Sequence, residues 1–137
     1  MENSRKYWVG IDPGQTGGLG ILDVQGGFVG AWRWDSKAPI NIFNRLVLCK
    51  GMVEVVYIEL VNAHPGKGVG HVTQTQSLMV NLGIWQGFLM AAGLPYILIH
   101  PATWQVHHNL RNWQAKTKQG IVGQHSPLTL ARSKWPT

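Results

Sequence analysis

Tyr7-Trp8-Val9-Gly10-Ile11-Asp12-Pro13-Gly14 is the stretch on which the fold turns. Its opening is apolar and β-prone, which predicts a buried strand over 7–11. Asp12 stands at the carboxyl end of that strand, and Pro13-Gly14 turns the backbone away from it. A carboxylate there faces a crevice at the sheet edge, with room for a large ligand. The bland alternative, of equal weight at this point, is an Asp that closes a strand by bonding to its own turn.

Outward from this stretch, strands are predicted over 17–22 and 28–34, joined at Gly26-Gly27, a hairpin signal. A helix follows over 39–50, with Ile42, Phe43, Leu46 and Val47 at helical spacing. Asp35-Ser36 is placed to cap it and Gly51 to stop it. A β-prone run over 53–60 ends in Glu59. A loop over 64–71 carries Gly66, Gly68 and Gly70, and a long buried helix is predicted over 73–92. A strand over 95–100 and a short helix from 102 come next, and Ser126-Pro127 can open a last helix of about two turns. The order is β-β-β-α-β-α-β-α. Strands joined by short turns form an antiparallel meander, whereas strands reached through helices add in parallel. The expected class is α/β: a mixed five-stranded sheet flanked by helices, in a single domain over 1–137.

Glu59 shifts the balance at Asp12. It lies in the apolar run Val55-Val56-Tyr57-Ile58-Glu59-Leu60-Val61, where a charge is costly to bury unless a cation or partner compensates it. Carboxylates on two adjacent central strands make a hard-cation site for Mg²⁺ or Mn²⁺. Such a site activates water and stabilises the oxygens of a phosphodiester under hydrolysis. The competing assignment is a glutamate on a half-exposed edge strand, paired with Lys or Arg.

Charge points to the ligand. The 137 residues carry a formal net charge of +6. Up to Glu59 the chain holds six acids and six bases; after it come Lys67, Arg111, Lys116, Lys118, Arg132 and Lys134 and no acid at all. A one-sided basic surface attracts phosphate backbones, which favours nucleic acid over a generic solubility charge. Residues 78–99 lack Asp, Glu, Lys and Arg, but Asn81, Gln86 and Gly93-Leu94-Pro95 interrupt them, so a membrane span is not expected. A secretory leader is not expected from the opening residues, and Cys49 stands as the single cysteine, which excludes an intrachain disulfide and fits an expected reducing, cytoplasmic setting.

Asp12 within Gly-Ile-Asp-Pro-Gly, followed by Gly17-Gly18-Leu19-Gly20, resembles the first motif of RuvC-type Holliday-junction resolvases, most closely their phage-like branch. Tyr57-Ile58-Glu59 resembles the second motif. His64-Pro65-Gly66-Lys67-Gly68-Val69-Gly70 resembles that branch's loop after the Glu. Gly83 and Gly87, Pro95-Tyr96 and Pro101-Ala102-Thr103-Trp104 extend the match. The resemblance implies a ribonuclease H-like fold and a homodimeric, Mg²⁺-dependent endonuclease that cuts four-way or branched DNA. Asp12 and Glu59 would be its catalytic metal ligands. Lys67, Gly68, Arg111, Lys116 and Lys118 are the candidate DNA-binding residues.

The family places further acidic residues on a last helix, after the segment that Leu130-Ala131-Arg132-Ser133-Lys134-Trp135-Pro136 resembles. This chain has no Asp or Glu after Glu59, and Gln105 follows Trp104 where that branch often has Lys. The expectation is therefore a truncated last helix, a C-terminally incomplete nuclease domain and impaired cleavage. His125 and His107-His108 are expected to be ordinary polar residues. The alternatives are a non-catalytic junction-binding module of the same fold and, more remotely, a fragment of an actin-like phosphotransferase, which opens on a similar Asp-Gly-rich turn.

Overall fold

A computed structural model describes residues 6–60 and 69–107. The chain divides into two compact units, Met1–Ile99 and His100–Thr137. The first holds β1 (Tyr7–Asp12), β2 (Gly18–Asp23), β3 (Phe28–Arg33), α1 (Pro39–Leu48), β4 (Val53–Glu59), α2 (Val69–Ala92) and β5 (Tyr96–Ile99). Its five strands form one sheet in the order β3-β2-β1-β4-β5. β1, β2 and β3 are antiparallel, and β4 and β5 add in parallel. The mixed sheet expected from the connection lengths is thus the one found.

Local chemistry explains the turns. Asp23 Oδ1 accepts the N–H of Gln25 at 2.9 Å and of Gly27 at 2.7 Å, folding the β2–β3 hairpin around Gly26. Gly26 has φ +84°, which side chains with a Cβ tolerate poorly. α2 ends at Gly93, φ +66°, with the Leu94 N–H donating to the Leu89 carbonyl at 2.9 Å in a glycine-terminated stop.

Three boundary expectations need correction. Asp35 does not cap α1: its Oδ1 accepts the Lys37 N–H at 2.9 Å, and Ala38 holds the cap position without a side-chain bond. A short Asx turn engages that carboxylate four residues before the helix begins. Gly51 does not stop α1, which ends at Leu48; Gly51 lies inside the 3₁₀ turn Lys50–Met52. The helix expected from 73 starts at Val69, so positions 69–71 are helical rather than part of the preceding loop.

Both helices of this unit pack on one face of the sheet. Val9, Ile11, Leu19, Ile21, Val56 and Ile58 point into that face and meet Ile42 and Leu46 of α1 and Leu82, Trp85 and Leu89 of α2. Ring contacts knit the layer: Trp34 to Trp85 at 5.3 Å, Phe43 to Trp85 at 5.2 Å, and Phe43 stacked on Phe88 at 4.0 Å. α2 was expected to be buried, but only one side of it is. Met79, Val80, Ile84 and Met90 are exposed, because a helix lying on one sheet face is covered from one side. Cys49 packs at the rim of this core, and burial pushes its thiol up from its ordinary pKa despite a backbone hydrogen bond acting the other way.

In the second unit the described structure is α3 (Pro101–His107). His100 opens it: its Nδ1 accepts the Ala102 N–H at 3.2 Å and its carbonyl accepts the Thr103 N–H at 2.9 Å. Among the described residues no helix is long and apolar enough to cross a membrane. The helix expected from Ser126 lies outside the described residues.

Candidate active site

β1 and β4 are neighbours, and their chain connections leave in opposite directions, β1 into the hairpin with β2 and β4 through α2 to β5. A crevice outside the carboxyl ends of such strands is where ligands bind in open α/β sheets. Asp12 and Glu59 close these two strands.

Register decides whether they can cooperate. Ile11 pairs with Ile58, so Asp12 and Glu59 each follow one residue later along parallel neighbours. Val9, Ile11, Val56 and Ile58 all face the helices, so the alternation of the pleat puts Asp12 and Glu59 together on the opposite face. The same register continues outward. Asp12 pairs with Gly18, Gly18 with Arg33, and Glu59 with Ile99. With the β1–β4 register carried one residue past Ile11–Ile58, one transverse row of the sheet reads Arg33–Gly18–Asp12–Glu59–Ile99. The row beside it reads Ala31–Gly20–Gly10–Tyr57–Ile97.

Asp12 is held in place by its own turn. Its Oδ1 accepts the Gly14 N–H at 2.8 Å, so the bland role weighed from the sequence is real, yet it engages only one carboxylate oxygen. Gly17 is required beside it: a Cβ there would run into the Asp12 backbone carbonyl and come within 2.7 Å of Asp12 Cγ and 2.8 Å of Oδ1. Beyond the carboxylate, Gly10, Gly18, Gly20, Ala31 and Arg33 help line an open cleft of about 600 Å³ that runs onto the glycine rows. A Cβ at Gly10 or Gly20 would meet no described atom within 4 Å. The missing side chains are what make the cleft.

Of the residues singled out from sequence, Asp12 and Glu59 close neighbouring parallel strands, each one residue beyond the last ladder pair, Ile11–Ile58. Lys67, Gly68, Arg111, Lys116, Lys118 and His125 lie outside the described residues. Among the described residues no group of three or more His, Cys, Asp or Glu is placed to hold a metal ion. Arg33 was missed, because it belongs to the half of the chain whose charges cancel. The signal was available in the alternation of β3: Trp32 faces the helices, where Arg45 lies over its ring at 5.6 Å, so Arg33 must face the other way.

No family model matches the chain, and no curated protein matches it in sequence. Solved structures do. RuvC from Thermus thermophilus in complex with a Holliday junction substrate superposes with a TM-score of 0.58 at 19% identity, over 94% of this chain and 88% of that one. A second Thermus thermophilus RuvC structure gives a TM-score of 0.52 at 20% identity, over 76% of this chain and 69% of that one. The fold is therefore RuvC-like, a ribonuclease H-like mixed five-stranded sheet flanked by helices.

Proposed function

We propose that this chain is a structure-selective endodeoxyribonuclease that acts on Holliday junctions or other branched DNA by metal-dependent phosphodiester hydrolysis. The observation that carries this is that Asp12 and Glu59 end neighbouring parallel strands, each one residue past the Ile11–Ile58 pair, on one face of a RuvC-like sheet. The neighbour with that fold is a RuvC bound to a Holliday junction, and the net charge of +6 suits a phosphate-rich ligand.

The donor set fits a hard cation. Asp12 uses one oxygen for the Gly14 N–H, and the glycines around it leave the approach to its carboxylate clear. Asp12 and Glu59 would hold Mg²⁺ or Mn²⁺, which when bound supplies positive charge to the phosphate and lowers the pKa of water. The chain's own contribution is positional. The Gly14 N–H orients the Asp12 carboxylate, Gly17 keeps its space open, and β4 sets Glu59 in step with it. Among the described residues two carboxylates form a thin ligand set for Mg²⁺, which gives up water reluctantly, so weak metal binding and slow turnover belong to this proposal. Lys67, Gly68, Arg111, Lys116 and Lys118 are proposed to follow the DNA backbone.

A homodimer is proposed as the working form, since symmetric cleavage of a four-way junction needs two sites. It is supported by the side of α2 formed by Met79, Val80, Gly83, Ile84, Gly87 and Met90, which is exposed and carries no charge. A second copy fits that chemistry better than DNA does. Its measure is sedimentation equilibrium, where Gly83→Glu should shift a dimer toward monomer.

The deciding experiment is a Mg²⁺ and Mn²⁺ titration with a labelled four-way junction, comparing the protein with Asp12→Asn and Glu59→Gln. Metal-dependent cleavage lost in both variants supports the nuclease. The thin ligand set also favours a second reading, a non-catalytic junction-binding module; tight binding without cleavage at any metal concentration would select it. Absence of both binding and cleavage would end both readings.

A further inference from the structure

The row that carries the two carboxylates also carries a cation to which no role has so far been given. Arg33 pairs with Gly18, and Gly18 pairs with Asp12. Two strand spacings, about 10 Å, therefore separate the backbones of Arg33 and Asp12. No side chain of the sheet projects between them. Gly18 has no side chain and no room for one, since a Cβ there would come within 3.1 Å of the Arg33 Cα and run into the Trp32 carbonyl. Arg33 and Asp12 line the same cleft.

Arg33 is exposed, and no carboxylate among the described residues forms an ion pair with it. The other described acids are engaged locally. Asp23 holds the hairpin turn, Asp35 bonds the Lys37 N–H, and Glu54 pairs with Lys6 at 2.8 Å. The remaining described cations stand elsewhere: Lys6 is paired, Arg45 lies over Trp32 on the helix side, Lys37 follows β3 in a turn, and Lys50 sits in the 3₁₀ turn.

Two carboxylates alone would repel a phosphodiester. A guanidinium on the same row, with a glycine-floored gap between, offers the complementary charge at the distance of an intervening phosphate. Arg is suited to this because its planar fork donates two parallel hydrogen bonds to phosphate oxygens. We propose that Arg33 grips a backbone phosphate of the nucleic acid that crosses the glycine-floored cleft, and so positions the strand over Asp12 and Glu59. This rests on the nuclease or junction-binding reading above. Arg33 is a positioning residue for the strand, and it recognises no base.

The test is binding of a labelled four-way junction in EDTA, where cleavage does not intervene, across a series of salt concentrations. The protein is compared with Arg33→Ala, Arg33→Lys and Lys37→Ala, each checked by its thermal melt. Arg33→Ala should bind about tenfold more weakly, the loss of a charged hydrogen bond. Its log–log salt slope should flatten by about one, the signature of one phosphate contact. The loss should be equal on junctions of unrelated sequence. Arg33→Lys should keep the slope and lose only part of the affinity. Lys37→Ala should change both far less. An affinity and slope for Arg33→Ala equal to the unmodified protein's, or equal losses in Arg33→Ala and Lys37→Ala, would overturn the proposal while leaving the junction-binding reading intact. Failure of the unmodified protein to bind junction or duplex at low salt would remove both.

Discussion

The two faces of the sheet are built from alternate residues of the same strands, and they differ in kind. Toward the helices β1 presents Val9 and Ile11, β2 presents Leu19 and Ile21, and β4 presents Val56 and Ile58, all nearly inaccessible. Toward the other side the same strands present Gly10 and Asp12, Gly18 and Gly20, Tyr57 and Glu59. One face holds the sheet together by close packing of large side chains. The other gives up side-chain volume along its middle rows and sets charge at their end. A period-two strand can serve both ends at once, because substitution on one face leaves the packing of the other unaltered.

If that division is real, the largest effect on stability belongs to the helix side. Trp85 is fully buried and touches both Trp34 and Phe43. Trp85→Ala should cost about 3–5 kcal/mol in a urea melt. The indole N–H of Trp85 is buried with no hydrogen-bond partner among the described residues, so Trp85→Phe should cost clearly less. Equal losses in the two variants would mean that the N–H has a partner and that packing alone does not explain the site.

The opposite face should answer with the opposite sign. Glycine inside a strand is destabilising by roughly 0.5–1 kcal/mol relative to alanine, and a Cβ at Gly20 meets no described atom within 4 Å. Gly20→Ala should therefore raise stability by about that amount, while narrowing the cleft and weakening junction binding. A drop in stability would show that this face is packed after all. Gly17→Ala lies between the two cases. Its methyl group would run into the Asp12 backbone carbonyl and crowd the carboxylate, so the turn itself must shift: the melt should fall, and cleavage should drop on the order of a hundredfold, as when a group acting on transition-state charge is misplaced. Cleavage assays beside a thermal melt separate that loss from unfolding.

How legible this was depended on range. Strand order followed from connection lengths, and Asp12 and Glu59 were found because a carboxylate at the end of an apolar run is conspicuous. Register was not legible. Nothing local in Arg33 or Gly18 says that they share a row with Asp12; that depends on hairpin geometry and on the irregularity between Ile21 and Leu22. Net charge by segments hid Arg33 by averaging it with the acids near it. The cap at Asp35 failed because an Asx turn and a helix cap use the same side chain on N–H groups a few residues apart. The exposed side of α2 was missed because an uncharged helix with only a narrow polar stripe reads as buried, whatever the number of layers around it.

The smallest expected effect tests the choice between the two glutamates of β4. Glu54 and Glu59 lie at opposite ends of one strand. Glu54 pairs with Lys6 at 2.8 Å, with both side chains about half exposed, which is the ordinary fate of a strand glutamate. Exposed pairs of this kind contribute between about 0 and 1 kcal/mol, because water and salt screen the attraction. Glu54→Gln should therefore lower stability by less than about 1 kcal/mol, and the difference should shrink as ionic strength rises. Junction binding and cleavage should not change, since the pair stands at the end of the sheet away from Asp12. Glu59→Gln removes the same charge from the same strand and should instead abolish metal-dependent cleavage. Parallel melts and cleavage assays of the two variants compare one substitution in two settings. If Glu54→Gln also suppressed cleavage, the effect would be one of overall charge, and the assignment of the site to the carboxyl ends of β1 and β4 would lose its support.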